Sequence, residues 1–384
     1  MRQKLVAALA ISMVGLVVPV SAAGATRPPD VTCGQVVTTD VTLRSDLTCT
    51  GDALTIAAND VTVRLAGHTI TSGDGTGTGI VFGDPGTGSC VTGATVSGGT
   101  VTGFATGIGD WSGCTYAHDD AVRGMQLLDN TWGISVPGLT LDVDRSTIDG
   151  PNGIDPYCPV CESGGQVNLT RSSVTATGVN VSSFGIFHSI SDSRLVGGTI
   201  YSEVNGPIHI SGSRLLGVTL DCGDASFTIV DTTILGGGGL SGGACSTLLQ
   251  HDRFVGPGSG IGFEPGPGYP MTVTDSVFTG WNTAVVVDDQ ATITGSTFRD
   301  NATGVACTAR YCEGGTVTGN RFVANSGTGL LLTTGLWHVG SNEVLRNGGL
   351  GIDAEGPTLT VVDDGGNVAR RNLAPQCVGV VCTP

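Results

Sequence analysis

Three closely similar stretches decide the fold of this chain: TVTDSVFTG at 272–280, TITGSTFRD at 292–300 and TVTGNRFVA at 316–324. Each stretch has an apolar residue, a turn former, a small polar residue and a second apolar residue at the same spacing. Self-similarity at a fixed period is the signature of a repeat architecture. The same frame should therefore extend along the chain in both directions.

The small polar position of these stretches recurs over most of the sequence. Ten such anchors span the 196 residues from position 146 to position 342 in nine steps, an average of 21.8 residues per step. Ala94 and Met125 continue the frame backward. The third residue before and the second residue after all twelve positions are apolar, although only 39% of the chain is hydrophobic, so chance does not explain the columns. The ten anchors are Ser146, Ser172, Ser193, Ser213, Thr232, Asp252, Ser276, Ser296, Asn320 and Asn342.

Each repeat has the residues of three short strands. The residue before an anchor is usually Gly or Asp, which tolerate the left-handed backbone of a sharp corner. Further along, a glycine followed by apolar residues, as in Gly304-Val305, predicts a third strand. Three short strands cannot bury a face alone, but stacked coils that pair in parallel can.

We therefore predict an all-β, single-stranded parallel β-helix of roughly 12–14 coils of about 22 residues. A β-sandwich is the alternative, but it predicts longer, strictly alternating strands and does not explain fixed columns. In the β-helix the polar anchors should hydrogen-bond from coil to coil. The inward columns should include a stack of Phe254, Phe278, Phe298 and Phe322.

Composition agrees with a turn-rich β protein. The chain has 384 residues, of which 63 are glycine and 13% are charged. Sparse charge and a large apolar share argue against disorder, and glycine without a three-residue period excludes collagen.

Residues 1–25 read as a secretory signal peptide. Arg2 and Lys4 supply a positive start, Leu5–Val20 an apolar stretch, and Ala23–Ala25 a small-residue cleavage site. A membrane anchor is the alternative, but the apolar stretch is short for a span. We expect an extracellular protein with no membrane span after signal removal. Residues 26–384 should form one domain, with an N-terminal coil and cap at 26–70 and a C-terminal cap at 365–384.

The charge balance limits the partners. The chain has 17 Lys+Arg and 33 Asp+Glu, a net charge of −16 that becomes −18 when Arg2 and Lys4 leave with the signal. Such a surface repels nucleic acid and anionic lipid, and it disfavours polyanionic substrates unless cations bridge them. We expect no nucleic-acid partner; the oligomeric state stays open.

Twelve cysteines in an exported chain should form disulfides. Stacked strands lie about 4.8 Å apart, which suits the Cα separation of about 4.4–6.8 Å in a disulfide. Pairs one coil apart should therefore bridge coils, and the closer pairs should pin loops and both ends, including the Cys-Pro-Val-Cys segment. The pairs are Cys33–Cys49, Cys90–Cys114, Cys158–Cys161, Cys222–Cys245, Cys307–Cys312 and Cys377–Cys382.

With these columns, the chain resembles the pectin-lyase-like superfamily of right-handed parallel β-helix proteins, of the secreted bacterial type. The run ending LAGHTI at 65–70 is similar to the first coil of that superfamily, and NGGLGID at 347–353 with 365–371 is similar to its last coils. The superfamily includes polysaccharide lyases, glycoside hydrolases, epimerases, adhesins and members of no known activity. The resemblance implies a cleft over the face formed by the Gly-apolar strand.

Counting alternation along that strand gives a set of outward side chains. Glu203 and Asp221 should lie one coil apart, and Asp221 and Glu264 two coils apart. Carboxylate pairs at such separations are those of glycosidases. The alternatives are a solvated acidic face and a calcium site that bridges neighbouring carboxylates. The catalytic candidates are Glu203, Asp221 and Glu264, and the substrate-binding candidates are Asp155, Tyr157, Asn180, Tyr201 and Asp288.

A second cluster lies at the corner. It reads either as an acid–base group or, the reading we favour, as surface ion pairs along a turn. Signatures of known activities are missing: no Arg or Lys lies near the acidic face, as pectate lyases require, and no Asn-Thr-Asp or Gly-His-Gly run occurs, as polygalacturonases require. The cluster consists of Asp231, His251 and Asp275, with Arg194, Arg214 and Arg253 nearby.

The sequence thus predicts an exported β-helix that binds, and in a sharper form cleaves, extracellular polysaccharide along its first-strand face. The alternative is a structural or adhesive protein without catalysis. No cofactor is expected apart from the calcium ion considered above.

Overall fold

The computed structural model describes residues 30–84, 86–88, 90–110, 117–136, 139–155, 166–184, 188–203, 207–258, 260–264, 266, 268–308, 312–373 and 375–384. The unit from Val31 to Pro384 is a parallel β-solenoid of about 14 turns, built from coils of about 22 residues. The described residues are strands and turns, without a helix. The predicted all-β class and coil length are therefore confirmed.

The strands are short, because a corner interrupts each coil several times. The first fifteen are β1 Gln35–Val37, β2 Val41–Thr42, β3 Leu47–Cys49, β4 Leu54–Ile56, β5 Thr62–Arg64, β6 Thr69–Ser72, β7 Thr78–Phe82, β8 Thr95–Ser97, β9 Thr100–Thr102, β10 Thr106–Asp110, β11 Ala117–Arg123, β12 Gln126–Leu128, β13 Trp132–Ser135, β14 Leu139–Asp144 and β15 Thr147–Gly150. The next fifteen are β16 Asn152–Asp155, β17 Gln166–Thr170, β18 Ser173–Ala176, β19 Val179–Phe184, β20 His188–Ser191, β21 Arg194–Val196, β22 Thr199–Glu203, β23 Ile208–Ser211, β24 Arg214–Leu216, β25 Thr219–Val230, β26 Thr233–Leu235, β27 Gly239–Gln250, β28 Arg253–Val255, β29 Ile261–Glu264 and β30 Met271–Thr274. The last thirteen are β31 Val277–Thr279, β32 Thr283–Val286, β33 Gln290–Thr294, β34 Thr297–Arg299, β35 Thr303–Cys307, β36 Gly314–Thr318, β37 Arg321–Val323, β38 Leu330–Gly340, β39 Glu343–Leu345, β40 Ile352–Gly365, β41 Asn367–Arg370, β42 Cys377–Val378 and β43 Cys382–Thr383.

These strands stack into three faces, and every pairing is parallel. The first face runs from β1 through β4, β7, β10, β13, β16, β19 and β22 to β42. The second face runs from β2 through β5, β8, β11, β14, β17, β20 and β23. The long strands β25, β27, β38 and β40 run through both faces and join them into one sheet of 27 strands. The third face is a separate sheet of 16 strands, from β3 to β43.

The core is a set of columns along the solenoid axis. Phe254, Phe278, Phe298 and Phe322 are fully buried and stack in one file, with ring centroids 4.7, 5.4 and 5.1 Å apart. Interplanar angles of 8–16° show near-parallel rings. The predicted aromatic stack is confirmed. Because each ring covers the next, the whole file is removed from water.

The predicted anchor column is a continuous hydrogen-bond ladder. The backbone N–H of each anchor donates to the side-chain oxygen of the anchor one coil later, for example from Ser172 to Ser193 at 3.1 Å and from Asn320 to Asn342 at 3.0 Å. The residue before the anchor has a left-handed backbone, with φ of 49° at Asp192 and 56° at Gly212. That corner turns the chain from the second face to the third and positions the anchor side chain inside.

The structure contains a second ladder, which the sequence analysis missed. Asn301, Asn325, Asn347 and Asn372 are linked by amide-to-amide bonds of 2.9–3.1 Å at the opposite corner of the C-terminal coils. Asn367 continues the anchor ladder beyond Asn342, and each residue of the second ladder follows an anchor by five positions. A search for a second fixed polar column would have found this signal.

Four of the predicted disulfides are present in the described residues. Cys222–Cys245 joins adjacent coils with a Cα separation of 5.9 Å, as the coil spacing predicts. The others close the first coils, a loop and the C-terminal end; they are Cys33–Cys49, Cys307–Cys312 and Cys377–Cys382. Cys114, Cys158 and Cys161 lie outside the described residues, so the two remaining pairs stay predictions.

Candidate functional site

The outward side chains of the first face form one file along the solenoid. Tyr201 on β22 pairs with Asp221 on β25, Asp221 pairs with Ser241 on β27, and Ser241 pairs with Glu264 on β29. Asp221 and Glu264 are therefore two coils apart, as the alternation predicts. All but Ser241 are half-buried. The file combines an aromatic ring, a hydroxyl and carboxylates along one line.

Asp155 extends this file toward the N-terminus. Its carboxylate accepts a hydrogen bond of 2.6 Å from the hydroxyl of Ser182, the residue that pairs with Tyr201. Ser182 therefore lies between Asp155 and Tyr201 on the same face. Tyr157, the other aromatic candidate, lies outside the described residues.

Glu203 and Asp221 lie on adjacent coils, as predicted, but they are not direct partners in the strand register. The backbone of Glu203 pairs with Phe184, two residues beyond the pair that joins Ser182 to Tyr201. The coil neighbour of Asp221 is therefore Tyr201, because the register of the two strands differs by two residues from that assumed in the prediction. Glu203 lies diagonally across from Asp221 along the strand direction.

Asn180 was placed wrongly, because it points inward. It is fully buried, and its side-chain amide donates to the carbonyl oxygens of Gly197 and Val196. The strand pairing slips by one residue between Val179 and Val181, and such a bulge reverses the face to which the following side chains point. Alternation counted from Val179 therefore gives the wrong side for Asn180.

Glu264, Asp288 and Asp353 are acids of this face with raised pKa values, and the first two lie close together. Burial and then the negative charge of Asp288 raise the pKa of Glu264 above its usual range. Burial also raises the pKa of Asp288. Phe263 on β29 pairs with Val285 on β32, so the two acids lie on adjacent coils and both are half-buried. A raised pKa favours the protonated carboxyl group, which is the form that donates a proton.

The corner cluster consists of exposed ion pairs. His251 Nδ1 lies 3.5 Å from an oxygen of Asp231, and its Nε2 lies 3.7 Å from an oxygen of Asp275. About half of each side chain is accessible to water. Pairs this exposed contribute little binding energy or pKa control, so the surface-pair interpretation fits the geometry.

Three titratable groups, Asp120, Asp252 and His188, are buried inside the solenoid, and of these only Asp252 was predicted to belong to an interior column. Burial raises the pKa of Asp120 and of Asp252 to about 7, and it lowers the pKa of His188 to about 4. Asp252 belongs to the anchor ladder, where its carboxylate accepts from the backbone of Thr232 at 2.8 Å and of Gln250 at 3.0 Å. His188 Nδ1 accepts from the backbone of Val167 at 3.2 Å.

The described residues contain no group of three or more His, Cys, Asp or Glu side chains arranged to hold a metal ion. Within the same residues, there is no helix of the length and apolarity that a membrane crossing demands.

Comparisons with known proteins leave the chain without an assigned family: no protein-family model matches it, and no curated protein matches it. The fold and the file of side chains on the first face are therefore the observations on which function can be argued.

Proposed function

We propose that this chain is an exported protein of the pectin-lyase-like type that binds an extracellular polysaccharide along its first face. The observation that carries the proposal is the pair Glu264 and Asp288, two half-buried acids with raised pKa values on adjacent coils. Solvated surface acids are not shifted in this way. Burial of acids on an otherwise outward face is typical of a site where a ligand is recognised.

The rest of the file supplies what a sugar chain needs. Tyr201 offers a ring face for stacking, and Ser241, Asp221 and Asp155 offer hydroxyl and carboxylate oxygens to sugar hydroxyl groups. The coils repeat these groups about every 4.8 Å along one line. An extended polymer that lies parallel to the axis therefore contacts several coils at once.

Cleavage is the sharper form of the proposal. Glu264 would hold a proton and donate it to the oxygen of the scissile glycosidic bond. Asp288 on the adjacent coil and Asp221 two coils away are the carboxylates available to act as base or to stabilise positive charge. A structural or adhesive role is the alternative, and it predicts binding to a surface without turnover.

The test is a screen of neutral and acidic polysaccharides for saturable binding and for release of reducing or unsaturated ends. With a cleaved glycan in hand, Glu264→Gln should lower the rate of product release at least about 100-fold, the usual contribution of a general acid, and leave binding within a few-fold. Glu343→Gln on the third face is the matched control and should behave as the unmodified protein.

Unchanged turnover in Glu264→Gln would remove the assigned acid. Binding without turnover for every glycan would favour the adhesive alternative, and absence of any saturable binding would contradict the proposal.

A further inference from the structure

A second surface of the molecule concentrates positive charge in an acidic chain. Two adjoining grooves, of about 390 and 540 Å³, lie at the corner between the second and third faces and share Arg145 and Arg171. The other arginines that line the grooves are Arg123 in the first groove and Arg194 and Arg214 in the second. Five of the 17 basic residues of the chain therefore meet at one site, which we call the arginine groove.

Arg145 and Arg171 occupy the left-handed corner position, with φ of 49° and 48°. Most other coils place Asp or Gly there, such as Asp192 and Gly212, and two coils place His251 and Ser341 there. Arg346 and Arg371 take the same left-handed backbone outside the groove, so this conformation alone does not mark a site. The case for a site rests on the positive charge that collects in the groove.

Arg194 and Arg214 are directly opposite each other in the third face, on β21 and β24. Like charges in this position repel, and in the described part of the chain neither guanidinium has an acidic partner within salt-bridge distance. The same outward file shows the opposite arrangement further along, where Arg321 Nε lies 2.5 Å from an oxygen of Glu343. In this file the charge of Arg321 is therefore compensated by Glu343, whereas Arg194 and Arg214 are two neighbouring positive charges.

Acids within the groove offset part of this charge and orient two of the arginines. Asp144 is held by Arg145 Nε at 2.9 Å and by Arg171 at 2.7 Å. Partial burial acts to raise the pKa of Asp144, but the hydrogen bonds from Arg171 and then Arg145 outweigh it and lower that pKa. Asp142 and Asp192 also line the grooves. Five arginines against three carboxylates leave the site positive.

We propose that the arginine groove binds a tetrahedral oxyanion, the sulfate or phosphate ester of a glycan chain. A guanidinium presents a fork of N–H donors that matches the oxygens of such groups. Arg194 and Arg214, about 4.8 Å apart in backbone spacing, can share one ester group. This site lies away from the first face, so it adds recognition of an acidic substituent to the proposed polysaccharide binding and does not depend on the acid pair there.

The test uses the purified chain and four probes in calorimetric titrations at low and high salt: a heparin-derived hexasaccharide, the same hexasaccharide without its sulfate groups, inorganic sulfate, and a single-stranded DNA oligonucleotide. We expect saturable binding of the sulfated hexasaccharide that weakens with salt, and competition by inorganic sulfate beyond that of chloride at equal ionic strength. The double variant Arg194→Ala/Arg214→Ala should lower this affinity at least about tenfold.

The variant Arg321→Ala removes an arginine from the same file outside the groove and should bind as the unmodified protein does. Arg194→Lys/Arg214→Lys keeps the charge without the fork and should lose affinity to an intermediate degree. Because Arg194 and Arg214 are exposed and repel each other, the double alanine variant should melt no lower than the unmodified protein. Its melting temperature therefore separates lost binding from lost folding.

Equal affinity for the two hexasaccharides, or an unchanged affinity of the double alanine variant, would overturn the proposal. DNA bound as tightly as the sulfated hexasaccharide would also overturn it, because charge alone would then suffice. Failure of the first-face proposal would instead show as loss of neutral-glycan binding and turnover, which these titrations do not measure.

Discussion

The middle coils, residues 120–253, and the C-terminal coils, residues 254–372, share one frame but fill it differently. In the C-terminal coils the anchors become asparagine from Asn320 onward, a second asparagine ladder is added, and four phenylalanine rings stack. In the middle coils the anchors are mainly serine, and the ladder includes Asp252. The middle coils also hold His188, Asp120 and the arginine groove.

This difference teaches that the repeat frame does not require a uniform interior. An asparagine anchor both donates and accepts between coils: Asn342 Nδ2 donates to Val317 O at 2.8 Å and to Asn367 Oδ1 at 3.1 Å. A serine anchor such as Ser193 accepts one bond from the previous coil, at 3.1 Å, and donates to the backbone of its own coil at 2.7 Å. We infer that the C-terminal coils are the more stable part of the solenoid.

The largest effect should come from the aromatic stack. Phe298→Ala removes a buried ring that contacts a ring on each side, and it should lower the free energy of unfolding by about 3–5 kcal/mol. Denaturant titration followed by circular dichroism measures this. Phe298→Leu is the control for volume and should cost less than half as much; equal losses, or none, would mean that the file is not a packed column.

The two ladders should respond unequally to truncation. Asn342→Ala leaves several buried partners unsatisfied and should cost about 3 kcal/mol, whereas Ser193→Ala should cost about 1 kcal/mol. Both are measured by the same titration. A larger loss for Ser193→Ala would reverse the inferred order of stability between the two regions.

The effect that depends on pH should come from Asp252. Its pKa is about 7 in the folded chain and 3.8 as the ordinary value, so the folded state holds the proton more tightly. Its contribution to stability is therefore full below about pH 4 and is lost as the pH rises toward 7. Asp252→Asn should remove this loss and raise the melting temperature at pH 8 more than at pH 5.

An amide fits this position, since Asn320 and Asn342 occupy the same column. The exposed Asp149→Asn is the control and should leave the pH dependence as it is. His188 works in the opposite sense: its pKa is lowered to about 4, so its contribution is full above pH 6.5 and falls as the pH drops toward 4. A parallel shift of Asp252→Asn at both pH values would show that the carboxylate does not titrate inside the ladder.

Much of the fold could be predicted from the residues, because a column in a solenoid is a direct consequence of the repeat period. The stacking of Phe254 to Phe322 and the ladder from Ser146 onward follow from counting alone. The outward acids were harder. A one-residue bulge before Val181 turned Asn180 inward, and a two-residue offset means that Glu203 is not the direct partner of Asp221, and period counting detects neither.

By itself, the sequence determined the period, the inward columns and the disulfide between adjacent coils, since those depend only on which residues recur at equal spacing. The tertiary structure decided which acids are perturbed and where positive charge collects. Burial of Glu264 beside Asp288 and the meeting of Arg171 with Arg194 and Arg214 depend on strand register and on how the corner turns between faces. These contacts form between side chains of different coils, and such neighbours in space lie some 20 residues apart in the chain.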